Sequence, residues 1–335
     1  MSADEPSPSK RKRVDSLDAS EVTLDPVRSD IWYDDGNIIV LQAQSTQFKV
    51  YRGILAQSSP VFNDMFMLPQ PIAAGTQLVD GCLVVHLFDD SAAEVSYVLR
   101  ALSGLQRYAV AEIEMPFAEL SAFLCLGRKY DIPELYCEAQ RRLFREIPAT
   151  LDAFDTFPER PNPQHWLSIQ RPQSPIYLEL VILARRTGLL SILPYAFYRC
   201  CTRYPAGTLI NGAKRSDGSM LVLSAQDQLI CLAGYRAMHD AQRATTLSWA
   251  WDPQAFFTTC TSPAVCRIAR RSFIGLLSHK SAIAGLIKWA RTDGHPDLCE
   301  ACTGIVHQRH TTGRVQFWDM LPDLFGLPPW TELLK

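Results

Sequence analysis

The chain has no run of 18 or more apolar residues, so nothing in it reads as a membrane-spanning helix. It also lacks a dominant charge sign: 33 Lys and Arg face 35 Asp and Glu, and no global field steers it towards nucleic acid or a lipid surface. A Gly-rich phosphate loop, a GxSxG elbow and an HExxH helix are all missing, which removes the common local signatures of nucleotide binding, acyl transfer and zinc hydrolysis. The expectation is a protein that is not an enzyme. The amino end, MSADEPSPSKRKRVDS, has no apolar core of the kind a secretory signal needs. With export not expected, the 10 cysteines are read as free thiols or metal ligands rather than disulfides.

What the chain does have is length and apolar content. At 335 residues and 47% hydrophobic, it can bury the cores of two domains. Residues 1–27 are rich in Ser, Pro, Asp and Lys and poor in aromatics, and are expected to be a disordered tail. Within it, Lys10, Arg11, Lys12 and Arg13 form a basic cluster that resembles a nuclear import signal; a solvated charge run is the alternative.

From Asn37 the pattern predicts a hairpin: IIVLQAQ, a polar break at Ser45-Thr46-Gln47, then Phe48 to Tyr51. Ser58-Ser59-Pro60 supplies an N-cap followed by Pro at the first helical position, so a short helix starts there. A third strand is predicted around Leu83 to Leu87, and a helix from Asp90 or Ser91 with Val95, Val98, Leu99 and Leu102 on one face, stopped by Gly104. Two more helices follow. In the second, opened by Pro133, the spacing points Leu135, Tyr136, Ala139 and Leu143 inward and Glu134, Glu138, Arg141, Arg142 and Arg145 to water. Prolines crowd residues 148–175, which read as a linker. Beyond it, apolar spacings of three and four predict a mainly helical domain over 176–335.

This order of hairpin, short helix pair, strand, helix and closing helices resembles the BTB/POZ fold over residues 28–147, with Phe48, Leu55, Ser59, Pro60 and Phe62 at its hallmark positions. SDIWYDDGN and FWDMLPDLFGLPPW are similar to segments of a group of fungal BTB-domain proteins with the same layout. The resemblance implies an α+β fold and a role in protein–protein association, commonly as a homodimer. Phe62, Met65, Phe66 and Met67 crowd the first helices with more apolar surface than a small sheet easily covers, which fits a self-association surface; burial in the monomer core is the alternative. The sequence departs from the family at Tyr51, where many members carry His, and at Asn37, where they carry Asp, while Arg52 keeps the neighbouring base. That weighs against corepressor docking. Val110-Ala111-Glu112 only loosely matches the element associated with cullin-3 ubiquitin-ligase recruitment, and no Kelch or zinc-finger repeat is present.

Four cysteines of the second half fall into two close pairs, Cys260 with Cys266 and Cys299 with Cys302, each at a loop-to-helix junction. Two converging pairs suit a structural tetrahedral Zn2+ site; buried unliganded thiols and a redox CxxC are the alternatives. His295, His307 or His310 is near enough in sequence to replace one sulfur. Cys82, Cys125, Cys137, Cys200, Cys201 and Cys231 read as core residues. FWDMLPDLFGLPPW is expected to fold back as an aromatic seal, and His86 reads as a structural imidazole on a buried strand. Arg267, Arg270 and Arg271 are too sparse for a DNA-reading surface and read as a solvated helical face, so direct nucleic-acid binding is not expected.

Together these readings predict a scaffold located in the nucleus, or shared between nucleus and cytoplasm, that self-associates through its BTB/POZ domain. A cullin-3 substrate adaptor and a zinc-dependent transcriptional regulator stay open beside it.

Overall fold

A computed structural model describes residues 27–32, 37–68, 77–104, 113–156, 166–215, 217–252, 259–280, 283–289 and 297–335. The fold is mixed α and β, a small sheet packed into a largely helical protein. Among the described residues, no helix is long and apolar enough to cross a membrane.

The sheet is built from β1 (Val27–Trp32), β2 (Ile38–Ala43), β3 (Thr46–Tyr51), β4 (Leu78–Val79) and β5 (Cys82–His86), in the order β1-β3-β2-β5-β4. The hairpin β2–β3 is antiparallel, with Ile39 opposite Val50 and Leu41 opposite Phe48. Its turn is Gln44-Ser45, one residue earlier than the polar break suggests, and Gln44 sits at φ +53°. Strand β1 escaped the sequence reading because VRSDIW has no alternation of apolar residues; it lies parallel to β3 at the sheet edge.

Helices α1 (Arg52–Ser58) and α2 (Pro60–Met67) follow β3 without a loop. Ser59 separates them. Its hydroxyl oxygen accepts the Phe62 amide at 3.0 Å and its proton goes to the Tyr130 carbonyl, so one side chain caps α2 and ties it to a carbonyl 71 residues further along the chain. Helix α3 (Ala92–Leu102) buries Val95, Val98, Leu99 and Ala101, while Leu102 is only half-buried. Its first free amide, on Ala92, is taken by the Gln44 side chain at 3.1 Å rather than by a residue of its own entry. Between β6 (Met115–Pro116) and the next helix there is no loop, and α4 (Phe117–Lys129) meets α5 (Pro133–Glu146) so closely that a Cβ on Gly127 would lie 3.1 Å from the Tyr136 Cβ.

Arg142 corrects the sequence reading of α5. It is 1% exposed, pairs with Glu138 at 2.6 Å, and donates to the carbonyls of Ile113 and Ser168 at 2.7 and 3.0 Å. One turn on, the buried Glu146 accepts the amides of Leu167 and Ser168. These two side chains fix β7 (Ile169–Gln170), which pairs in parallel with β6. Part of the proline-dense segment expected to be a linker is therefore packed structure: α6 (Leu151–Thr156) lies within it, and Trp166, Ser168 and Ile169 are buried.

Helix α7 (Ile176–Thr187) ends at Gly188, φ +72°, and leads through a single 3-10 turn (Leu190–Ile192) to α8 (Leu193–Arg203) and α9 (Ala206–Asn211). Strands β8 (Ala213–Lys214) and β9 (Met220–Leu221) pair antiparallel, and Arg215 beside β8 binds Glu179 of α7 at 2.7 and 2.8 Å. Next come α10 (Ala225–Ala244), α11 (Ser248–Trp251), α12 (Pro263–Lys280), α13 (Glu300–Leu324) and α14 (Trp330–Leu333). One apolar cluster runs from Leu41 and Phe48 through Phe123 and Leu180 to Phe197 and Phe317, joining the sheet region to the later helices.

Helix α13 is the longest element. Near its middle His310 meets the Ile287 carbonyl at 2.7 Å, and Arg314 binds Asp155 of α6 through both terminal nitrogens. Further on, Phe317, Trp318, Leu321 and Phe325 are buried, as an aromatic seal requires. Pro322 lies inside this helix and has no amide to offer the Trp318 carbonyl four residues back. The Trp330 indole N–H fills that position at 3.0 Å, its ring stacked on Trp318 at 5.5 Å with the planes 3° apart.

Candidate metal centre and apolar surface

Cys260 and Cys266 flank the start of α12, and Cys299 and Cys302 flank the start of α13. The two helix starts face each other, so that the four sulfurs lie within 4.8 Å of one another, and Cys260 and Cys299 are 3.9 Å apart. A zinc ion with Zn–S bonds of about 2.3 Å sets sulfur–sulfur edges of about 3.8 Å in a regular tetrahedron. The cluster is slightly wider than that, and the 3.9 Å pair is far from the roughly 2.05 Å of a disulfide.

Local structure treats the four sulfurs unequally. Each pair sits at the positive end of a helix, where a negative sulfur is stabilised. The Cys299 amide donates to the Cys266 sulfur at 3.2 Å. Hydrogen bonds from the Thr261 side chain and the Cys302 amide bring the Cys299 thiol down to about 5. Burial pushes Cys302 well up and Cys266 up, against the charged form. The surrounding wall is apolar: Trp249, 0% exposed, contacts Phe273 at 5.0 Å and Trp289 at 5.7 Å, with Val306 beside them. The arrangement supplies four sulfur donors, two of them buried against the apolar wall and two partly open, the donor set of a structural site.

No histidine is needed to complete it. His310 is bonded to the Ile287 carbonyl, His307 is exposed, and His295 lies outside the described residues. Of the remaining cysteines, Cys200, Cys201 and Cys231 are buried as expected, Cys82 and Cys125 are half-buried, and Cys137 is exposed on α5, contrary to its core reading. Arg267 and Arg271 are exposed, while Arg270 donates to the Asp252 carbonyl at 2.9 Å. His86 is also exposed rather than buried; it meets the Gln77 side chain at 3.0 Å and stacks on Phe88.

The proposed association surface divides. Phe62 is 3% exposed and lies against Tyr130 at 4.7 Å, so it belongs to the core and not to the surface. Met65 and Phe66 are half-buried, with the Arg52 guanidinium over the Phe66 ring at 5.0 Å. Met67 is 75% exposed, and Val61 and Leu68, which the sequence reading did not single out, are exposed beside it. The helical spacing of Val61 from Met65 and Leu68 put them on one side of α2, a signal the sequence did contain. Lys10, Arg11, Lys12 and Arg13 and the Val110-Ala111-Glu112 element lie outside the described residues. No family model, no curated protein and no solved structure matches the chain.

Proposed function

We propose that this protein is a non-catalytic scaffold of BTB/POZ type that self-associates through its sheet-containing region, works in a nuclear regulatory complex, and carries a structural Zn2+ on Cys260, Cys266, Cys299 and Cys302. The observation that carries the scaffold reading is the exposure of three large apolar side chains on and just after α2, Val61, Met67 and Leu68, which the monomer leaves in water. A second copy packed against this end of α2 about a two-fold axis would cover them with the same residues, the commonest oligomeric solution. The zinc reading rests on four sulfurs gathered within 4.8 Å of one another, somewhat wider than a ZnS4 tetrahedron with no fifth donor needed. Its role would be to pin the start of α12 to the start of α13. Nuclear location rests on the basic cluster of residues 10–13 alone.

Sedimentation of the full chain over a range of concentrations tests the scaffold reading. A dimer is expected, and Met67→Glu is expected to yield folded monomers, because the replaced side chain is exposed and not part of the core. A parent that sediments as a monomer at every loading would remove the self-association reading.

A further inference from the structure

The four sulfurs of the α12–α13 centre are unequally placed. Cys266 and Cys302 are 2% and 0% exposed behind the Trp249 wall, whereas Cys260 and Cys299 are partly open to solvent. The open pair is also 3.9 Å apart, so a disulfide between them needs an approach of only about 2 Å. Both belong to the chain just before a helix rather than to its interior: Cys299 is the N-cap of α13, and Thr261 and Ser262 alone separate Cys260 from α12. Each can shift without unwinding a helical turn.

We propose, on the basis of the zinc reading and requiring it, that Cys260 and Cys299 are an oxidation site for hydrogen peroxide, and that their conversion to a disulfide expels the zinc. One thiolate attacks a peroxide oxygen; the S–O bond forms, the O–O bond breaks, and hydroxide leaves and takes up a proton as water. The second thiolate attacks that sulfenic sulfur; the S–S bond forms, the S–O bond breaks, and a second hydroxide leaves as water. Two thiolates, one peroxide and two protons thus give one disulfide and two waters, the sulfurs being oxidised and the peroxide reduced. Zinc is left with two buried sulfurs, too few to hold it in a closed site. The start of α12, which exposes Val265 and Ile268, then keeps a single covalent tie to α13 in place of a four-bond clamp.

The test uses the full chain loaded with zinc, its metal content measured before any oxidant is added. Hydrogen peroxide is then titrated while a chromophoric chelator reports free zinc and peptide mapping locates disulfides. The expected result is one zinc released per Cys260–Cys299 disulfide, with rebinding after treatment with a dithiol and zinc. Cys137, exposed and remote in sequence, serves as the internal standard for peroxide reaching an accessible thiol. Zinc retained while Cys137 is oxidised would overturn the proposal, as would release accompanied by a disulfide that uses Cys266 or Cys302. A chain that takes up no zinc at the outset defeats the zinc reading itself and this inference with it, whereas zinc uptake without the expected release defeats the inference alone.

Discussion

Arg142 is the residue whose environment departs furthest from what its helix position suggests. The charged face of α5 continues through Glu138 and Arg141 on the surface, yet one turn places Arg142 under the chain at Ile113 and Ser168. A guanidinium buried there is tolerable only because Glu138 and two carbonyls satisfy it. Removing it takes a donor from the Ile113 and Ser168 carbonyls and half of the pairing of Glu138, so Arg142→Ala is expected to cost about 3 kcal/mol in denaturant unfolding, the scale of a broken buried ion pair. The neighbouring Arg141→Ala, an exposed pair, is expected to cost under about 1 kcal/mol. Equal costs for the two would mean that Arg142 is not held as described. Sequence periodicity could not separate the two arginines, because their difference is made by residues 25 or more positions away.

At the scale of elements, α12 and α13 share an entry point but have different support. Helix α13 is fixed by Arg314, Phe317 and Trp318, whereas the described side chains of α12 meet mainly the Trp249 cluster and the cysteines. Zinc supplied at 100 times its dissociation constant would stabilise the folded chain by about 2.7 kcal/mol. Replacing Cys299 and Cys302 together by serine is expected to abolish that gain and the bound metal, measured by thermal melts with and without chelator; a melting point indifferent to zinc in the parent would count against the site. Both cysteine pairs were legible in the sequence because loop-to-helix junctions announce themselves through Pro263 and the apolar run that follows. Their convergence was only inferred, since no local pattern says which two helix starts will meet. The hairpin, the Ser59 cap and the helix stop at Gly104 were legible for the same local reason. Strand β1 and the packed β7 were not, because each is decided by a partner distant in the chain.

Across the whole molecule, phenols are buried in several layers of the fold. Burial raises Tyr198 and Tyr204 to about 12, and it raises Tyr195 and Tyr130 further, the latter helped by its hydrogen bond to Asp90. In the unfolded chain these groups ionise near pH 10. Below that pH both states hold the proton and stability is unaffected. Above it the unfolded state loses protons that the folded state keeps, so stability falls as pH rises, by about 1.4 kcal/mol per pH unit for each such tyrosine. Alkaline titration followed at the phenolate absorbance is expected to show one steep, cooperative step for this group instead of gradual ionisation; smooth titration of all 11 tyrosines near pH 10 would contradict it.

The substitution of an indole for a missing amide at Pro322 makes two distant positions energetically dependent on each other. Trp330→Phe keeps the stack on Trp318 but drops the donor, leaving the Trp318 carbonyl to solvent. In a Pro322→Ala background a restored amide would already occupy that carbonyl, so the same change should matter less. The double-mutant cycle is expected to give a coupling of about 0.5–1.5 kcal/mol. Additive effects would mean that the ring alone, and not its N–H, anchors the last turn of the chain.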